Sequence, residues 1–178
     1  MEAFKDKNKY IEKQSEVVNE KLDRLNAFLS NDEFQIMDGK THQILVIEHN
    51  FEEVSAIREI LNNASIKYEM TVIDNGQDAI SFLESEGKWA QMPVPDLIIV
   101  DLNLPKISGS QVLKYLRKNK HLSWIPRLVL TSDEKQVEQV LNIKKQPSKI
   151  IQKPVLKKEL VAALISINPL MFAGLSIT

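Results

Sequence analysis

The stretch Pro95-Asp96-Leu97-Ile98-Ile99-Val100-Asp101-Leu102-Asn103-Leu104-Pro105 decides how the rest of this chain is interpreted. Four consecutive apolar residues, two of them isoleucine and one valine, run directly into the carboxylate of Asp101. Such a run, bounded by polar residues and proline, is typical of a strand buried on both faces of a parallel sheet. Asp101 is therefore predicted at the carboxyl end of a strand, the edge where ligands bind in open α/β sheets.

The composition limits the functions that this chain can have. Its 178 residues, 43% of them hydrophobic, suffice for one domain with a sizeable core and a modest extension. A net charge of -1 gives no field that would recruit nucleic acid or a membrane surface, so neither is an expected partner. The absence of cysteine excludes disulfides and thiolate chemistry, and it fits a cytoplasmic location. The charged segment Met1 to Tyr10 does not resemble a secretory signal.

The segment from Leu160 to Thr178 has no charged residue and is nominally long enough to span a bilayer. Asn168, Pro169 and Gly174 interrupt it, and its first half fits the apolar face of a core helix. We therefore predict a last core helix followed by an apolar C-terminal tail, residues 169–178, rather than a membrane span.

Residues 1–41 are predicted to form an N-terminal amphipathic helix and a linker. Between Phe4 and Leu29, apolar residues recur every seven positions on one face, at Phe4, Ile11, Val18 and Leu25. This helix either packs on its own domain or forms a short coiled coil or partner helix; if it pairs with a second copy of the chain, the protein is a homodimer. Polar residues in the d positions, Lys7, Gln14 and Lys21, weaken the coiled-coil interpretation.

Residues 42–168 alternate between predicted strands and predicted helices five times. The predicted strands are Gln43 to Glu48, Tyr68 to Ile73, the run ending at Asp101, Arg127 to Leu130, and Lys149 to Gln152. The predicted helices are Phe51 to Asn63, Gln77 to Glu84, Gly109 to Lys118, one containing Val137, Val140 and Leu141, and Leu156 to Ile167. Alternation with short loops predicts an α/β fold with a parallel sheet and helices on both faces.

The predicted strand ends carry side chains suited to one kind of chemistry. They are Glu48 and His49, Asp101, Thr131 and Ser132, and Lys153. Phosphoryl transfer to a carboxylate needs acids that hold Mg²⁺, an attacking carboxylate, and a hydroxyl and an ammonium that bind the phosphoryl oxygens. The combination therefore predicts a phosphoryl-accepting site at this edge.

From Gln43 to Ile167 the sequence resembles the receiver domain of bacterial response regulators. The matching motifs are Ile-Leu-Val-Ile-Glu at 44–48, Asp-Leu-Asn-Leu-Pro at 101–105 with Gly109, Leu-Thr-Ser at 130–132, and Lys-Pro at 153–154. Thr131 follows Asp101 by 30 residues and Lys153 follows it by 52, as is usual in the family. The resemblance implies a flavodoxin-like (βα)5 doubly wound sheet of order 2-1-3-4-5.

The resemblance also implies roles for individual residues. Asp101 looks like the phosphoacceptor, and Thr131 and Lys153 look like the ligands of the phosphoryl group. Glu48, Asp101 and the backbone carbonyl of Asn103 look like ligands of Mg²⁺. The longer loop around Trp89 and the sequence Asp-Leu-Asn-Leu-Pro-Lys at 101–106 are similar to those of stand-alone receivers that partner phytochrome-type histidine kinases.

Three positions depart from the family pattern. His49 stands where a second metal-binding acid is usual, which leaves two negative charges near Mg²⁺ instead of three and predicts weak or absent Mg²⁺ binding. His49 could, when protonated, pair with Asp101, or it could be neutral and point to solvent. Ile150 replaces a switching aromatic residue, and Ser108 replaces an acid before the loop glycine.

Two hypotheses follow from the resemblance. The first is a stand-alone receiver that accepts a phosphoryl group from a histidine kinase and signals by contact with a downstream protein, since no residues remain after the last helix for an output domain. The second is a pseudo-receiver that binds a partner without phosphorylation, because of His49 and Ile150. Neither is an enzyme beyond self-catalysed phosphotransfer and dephosphorylation. A dehalogenase-type phosphatase would need an acid at Asn103, and a flavodoxin would need a phosphate loop in place of Glu48 to Glu53.

Overall fold

A computed structural model of the chain describes residues 40–63, 66–133, 136, 148–169, 171–172 and 175. The predicted N-terminal helix, and Val137, Val140 and Leu141 of the helix predicted after Asp133, lie outside these residues. The division into residues 1–41, 42–168 and 169–178 therefore stays a prediction.

The described residues form a single five-stranded parallel sheet with the order β2-β1-β3-β4-β5, which confirms the predicted fold class. The strands are β1 (His42–Ile47), β2 (Tyr68–Ile73), β3 (Leu97–Asp101), β4 (Arg127–Thr131) and β5 (Ser148–Gln152). The helices are α1 (Phe51–Asn62), α2 (Gly76–Leu83), α3 (Gly109–Lys118) and α4 (Lys157–Ile167), and a short 3-10 helix spans Gly87–Trp89.

Alternate residues of the central strands build two cores, one on each face of the sheet. In β3, Leu97 and Ile99 join a first core with α1 and α4, and Ile98 and Val100 join a second core with α2 and α3. All five residues of β3 are buried. Side chains alternate between the two faces of a strand, so a strand covered on both faces needs a continuous apolar run such as Leu97 to Val100.

The first core extends past the last helix. α4 ends at Ile167, yet Met171, Phe172 and Leu175 are buried in the first core, and Phe172 has no exposed surface. Within the described part of the chain no helix has the length and apolar character needed to cross a membrane. The uncharged C-terminal run is thus, as far as its residues are described, part of the domain core rather than an exposed patch.

The loop between β3 and α3 is packed tightly against the end of β3. A Cβ atom on Gly109 would lie 1.9 Å from the backbone oxygen of Asp101, so this position requires glycine. Ser108 caps α3: its hydroxyl accepts a hydrogen bond from the Gln111 backbone N–H, and the Gln111 side chain accepts one from the Ser108 backbone. Ser108, which stands where the resembled family often has an acid, is thus a helix cap that fixes the loop after Asp101.

Candidate functional site: a carboxylate cluster at the carboxyl edge of the sheet

Asp101 is the last residue of β3, and its side chain has no exposed surface. Its Oδ1 accepts a hydrogen bond from the Asn103 backbone N–H at 3.1 Å, and its Oδ2 accepts one from Lys153 Nζ at 2.9 Å. Both oxygens of this buried carboxylate are therefore engaged by donors. Paired donors are what a buried charge requires, since an unpaired carboxylate would be costly to desolvate.

Lys153 contacts two carboxylates at once. Its Nζ lies 2.5 Å from Glu48 Oε2 and 2.9 Å from Asp101 Oδ2, and its backbone N–H donates to the Thr131 carbonyl at 2.8 Å. Partial burial lowers the pKa of Lys153, but hydrogen bonds to Glu48 and Asp101 outweigh it and hold the pKa above its ordinary value of 10.5. One ammonium thus balances part of the charge of two carboxylates.

Glu48 follows β1 and is also buried, at 1% exposure. Its Oε1 accepts a hydrogen bond from the Asn50 backbone N–H at 2.8 Å. The Asn50 side chain in turn caps α1 by accepting from the N–H groups of Glu52 and Glu53. The short turn between β1 and α1 is therefore fixed on both sides of His49.

His49 faces the carboxylates from the solvent side. Its Nδ1 lies 3.5 Å from Glu48 Oε1 and 3.7 Å from Asp101 Oδ2, while 48% of its side chain is exposed. The imidazole is thus neither remote from the site nor wholly directed to solvent. It covers the edge of the carboxylate pair.

Thr131 lies at the end of β4, buried, but its hydroxyl is engaged within its own loop. It lies 3.0 Å from the Asp133 carbonyl and 3.3 Å from Gln136 Oε1, both of which can accept its proton, and it accepts the Asp133 N–H at 3.1 Å. The side chain of Gln136 also donates to Asn103 Oδ1 at 3.0 Å, and Asn103 Nδ2 donates to Ser132 at 2.6 Å. The loops after β3 and β4 are joined by this network.

Two contacts in this region were not predicted from the sequence. Gln136 bridges Asn103 and Thr131, and no local pattern marks it, because it is one polar residue in a predicted helix. Glu53 accepts the Val155 N–H at 3.0 Å and ties α1 to the loop after Lys153. An acidic residue is common in the first turn of a helix because of the helix dipole, so the sequence carries no signal for this contact.

Ile150, the residue in place of a switching aromatic, is partly buried and packs against the second core. It lies on β5, three residues before Lys153. A branched aliphatic side chain in this place fills the core and has no ring to reorient.

The donor set at this edge fits a divalent cation. Glu48, His49 and Asp101 each offer one ligand atom, and the three atoms lie within 4.8 Å of one another. Carboxylate oxygens suit Mg²⁺ and Mn²⁺, whereas an imidazole nitrogen suits transition metal ions. The set therefore has fewer hard oxygen ligands than three carboxylates would supply.

Comparison with known proteins assigns this fold to a family. The family model of the response regulator receiver domain matches residues 44–165, more than half of the chain. The chain belongs to the response regulator receiver family, whose members are signalling modules of two-component systems.

Individual relatives narrow the similarity. The response regulator Rcp1 of Synechocystis sp. is 34% identical over 93 residues, which are 52% of this chain and 63% of Rcp1. PhoP of Bacillus subtilis, an alkaline phosphatase synthesis transcriptional regulatory protein, is 28% identical over 67% of this chain and 45% of its own length. The chain thus spans less than two thirds of the curated relatives that it matches.

Solved structures agree with this similarity. The Mn²⁺-bound form of Rcp1 matches with a TM-score of 0.64 and 28% identity over 76% of this chain and 99% of Rcp1. The phosphorylated cyanobacterial phytochrome response regulator RcpA matches with a TM-score of 0.62 and 28% identity, over 75% and 94% of the two chains. The predicted similarity to phytochrome-associated receivers is confirmed.

Proposed function

We propose that this chain is a receiver that accepts a phosphoryl group on Asp101 from a histidine kinase, of the phytochrome type, in the cytoplasm. The observation that carries the proposal is the Lys153 ammonium, 2.9 Å from Asp101 Oδ2 at the end of the central strand. An acceptor carboxylate needs a cation beside it that can stay with the phosphoryl oxygens after transfer.

The proposed step is an in-line displacement at phosphorus. A carboxylate oxygen of Asp101 attacks, and the P–N bond to the donor's imidazole breaks with its electron pair remaining on nitrogen. The product is an acyl phosphate, whose extra oxygens carry negative charge. Lys153 then binds this charge, and it can do so without leaving Glu48 because its Nζ already contacts both acids.

Thr131 is the proposed second phosphoryl ligand. Its hydroxyl must turn from the Asp133 carbonyl and Gln136 to donate to the phosphoryl group. This change would break the hydrogen bond from Thr131 to Gln136, which itself donates to Asn103. Phosphorylation of Asp101 would therefore alter the contacts of the loop after β4.

A divalent cation would be held by Glu48, Asp101 and the backbone carbonyl of Asn103, and it would supply charge neutralisation between the entering phosphoryl group and the acids. We propose that Mg²⁺ binds weakly, because His49 supplies no negative charge in place of the usual acid. The relative Rcp1 has been solved in a Mn²⁺-bound form, which supports the proposal that this chain binds a divalent cation.

Exposed apolar side chains beside the site support docking of a protein donor. Phe51, the first residue of α1, is 77% exposed, and Leu156, which precedes α4, is 54% exposed. The hydrogen bond between Glu53 and Val155 holds these two segments together. Large exposed apolar side chains next to a reactive group are expected where a partner protein covers them.

The alternative is a pseudo-receiver that binds its partner without phosphorylation. The observation that favours it is the closure of Asp101: the side chain has no exposed surface, and both Lys153 and His49 lie against Oδ2. A phosphoryl donor reaches the carboxylate only if one of these side chains moves. Ile150 supports the same alternative, because no aromatic side chain can report a modification there.

One assay separates the two functions. The full chain is incubated with acetyl phosphate and Mg²⁺ or Mn²⁺, and its mass is measured intact and after proteolysis. Modification of the wild-type protein that is lost in Asp101→Asn supports the receiver. No modification of the wild type, with modification restored in His49→Asp, supports the pseudo-receiver.

We also propose that residues 1–41 precede a receiver domain whose fold ends with the last helix near residue 168, and that the segment 169–178 follows this helix, with Met171, Phe172 and Leu175 packed into the domain core. We propose further that the first segment makes a homodimer and that the output is contact with a downstream protein. Sedimentation of the full chain and of a chain lacking residues 1–40 tests the dimer. Fewer chains per particle for the shortened protein than for the full chain support it, and an equal number of chains per particle contradicts it.

A further inference from the structure

We propose that the centre formed by Glu48, His49 and Asp101 selects a late first-row transition metal ion, of the Ni²⁺ or Zn²⁺ kind, over Mg²⁺, with His49 as the selecting ligand. The inference rests on the proposed role of this edge as a cation site. It goes further by naming the class of ion and the residue that chooses it.

The charges of the cluster set the affinity for Mg²⁺. Glu48 and Asp101 are buried and carry two formal negative charges, and Lys153 places one positive charge in contact with both. Mg²⁺ binds through charge and oxygen ligands and gains little from an imidazole. A centre with one net negative charge and two carboxylates is therefore a weak site for Mg²⁺.

The imidazole changes the balance for a transition metal ion. The affinity of a site with nitrogen ligands for divalent ions increases in the order Mn²⁺, Fe²⁺, Co²⁺, Ni²⁺ and Cu²⁺, and Zn²⁺ is also strongly bound. A neutral imidazole adds a bond to such an ion without adding charge. His49 thus restores binding affinity for these ions, which the missing carboxylate would otherwise lower, but it does not restore affinity for Mg²⁺.

The position of His49 fits this role. Its Nδ1 lies 3.5 Å from Glu48 Oε1 and 3.7 Å from Asp101 Oδ2. Neighbouring ligand atoms around an ion with bonds of about 2.1 Å are separated by roughly 3.0 to 3.4 Å. A small side-chain rotation of His49 closes this difference.

The turn that carries His49 is held before any ion binds. Glu48 on one side is buried and bonded to the Asn50 N–H, and Asn50 on the other side caps α1. The imidazole itself is 48% exposed, so an ion can reach it from solvent. Fixed neighbours reduce the ordering cost of binding, which makes His49 a prepared ligand.

Calorimetric titration of the full chain with Mg²⁺, Mn²⁺ and Ni²⁺, without a phosphoryl donor and at about pH 8, tests the proposal. This pH is above the ordinary titration range of imidazole. The wild type should bind Ni²⁺ at least about tenfold more tightly than Mg²⁺. His49→Ala should weaken Ni²⁺ at least about tenfold and Mg²⁺ much less, as expected when a single ligand is lost. His49→Asp should strengthen Mg²⁺ and narrow the ratio.

His121→Ala is the matched control, because His121 is an exposed histidine on the turn after α3. It should leave every affinity unchanged. Equal losses of Ni²⁺ affinity in His121→Ala and His49→Ala, or a Ni²⁺ to Mg²⁺ ratio that His49→Ala leaves unchanged, would overturn the proposal.

A second measurement keeps the result independent of variant folding and of phosphorylation. In the wild-type protein, substoichiometric Ni²⁺ should broaden the NMR signals of the His49 ring before those of His42 and His121. Broadening of His42 or His121 first would contradict the assignment. Failure of Asp101 modification by acetyl phosphate, with Ni²⁺ selectivity intact, would remove the phosphoacceptor role and leave the metal assignment standing.

Discussion

Two aspartates at opposite ends of β3 have similar neighbours and different consequences. Asp96 precedes the strand and Asp101 ends it, and each contacts a lysine, a histidine Nδ1 and a backbone N–H. The contacts of Asp96 are Lys40 Nζ at 2.5 Å, His42 Nδ1 at 3.8 Å and the Gln43 N–H at 2.9 Å. Those of Asp101 are Lys153 Nζ at 2.9 Å, His49 Nδ1 at 3.7 Å and the Asn103 N–H at 3.1 Å.

The difference between the ends is a second carboxylate and the degree of burial. Lys153 is shared between Asp101 and Glu48, neither of which has an exposed side chain. Asp96 is 20% exposed, and its Lys40 is 61% exposed. The amino end is therefore a balanced surface pair that fastens the start of the sheet. The carboxyl end carries one more negative charge than positive charge among buried and partly buried side chains. Such a buried charge excess is costly and is typical of a site that binds a cation or carries out a reaction.

The largest expected difference between the ends is in their lysines. Lys153→Met leaves two buried carboxylates without their shared cation and should lower the free energy of unfolding by about 3 kcal/mol. Lys40→Met removes an exposed partner and should lower it by less than about 1 kcal/mol. Urea unfolding of both variants at neutral pH, without divalent ions, measures the two losses. Equal losses would mean that the site end is no more dependent on its cation than the surface pair.

Neutralising each aspartate should change stability in opposite directions. Asp96→Asn weakens charge-assisted hydrogen bonds from Lys40 and the Gln43 N–H and should cost about 1 to 2 kcal/mol. Asp101→Asn removes one of two neighbouring negative charges, while the ion pair between Lys153 and Glu48 remains. It should therefore raise the free energy of unfolding by about 1 kcal/mol. Thermal or urea unfolding of the pair provides the measurement. Destabilisation by Asp101→Asn would argue that the charges at this edge are already balanced.

At the amino end the pH dependence should appear in acid. Burial raises the pKa of Asp96, but hydrogen bonds from Lys40 and the Gln43 N–H outweigh it and hold the pKa below its ordinary value of 3.8. A lowered pKa contributes stability above 3.8 that is lost as the pH falls through the folded value. The stability difference between the wild type and Asp96→Asn should therefore be constant near neutral pH and shrink below about pH 3.8. A difference that shrinks already at pH 5 would contradict this assignment.

At the carboxyl end the corresponding change should appear in alkali and be the smallest effect. The raised pKa of Lys153 contributes stability below 10.5 that is lost as the pH rises through the folded value. Burial lowers the pKa of Arg127 to about 10, which has the opposite alkaline effect but is common to wild type and Lys153→Met. Their stability difference should narrow above about pH 10.5, and a difference that widens there would exclude the pairing.

Much of the fold could be predicted from the sequence because burial on both faces leaves a one-dimensional signal. The run before Asp101 has to be apolar throughout, and α1 and α3 show apolar residues at helical spacing on one face. Element ends were placed within about one residue, as at His42–Ile47 for a strand predicted from Gln43 to Glu48. Strand order came from the family resemblance, since periodicity alone does not say which strands are neighbours.

The side-chain geometry of the candidate site could be predicted only in part. Parallel strands bring their carboxyl ends to one edge, so Glu48, Asp101 and Lys153 were expected together, and Lys153 contacts both acids. The direction of the Thr131 hydroxyl and the bridge through Gln136 depend on two loops meeting, which sequence spacing does not specify.

The sequence by itself determined the succession of strands and helices along the chain and the residue types at each strand end. Both follow from local burial and from chain spacing, which are properties of neighbouring residues. Only the tertiary structure decided that Lys153 is shared between two carboxylates, that His49 lies across them, and that Phe172 belongs to the core. These depend on distances between segments far apart in the chain, which packing sets and a linear pattern does not carry.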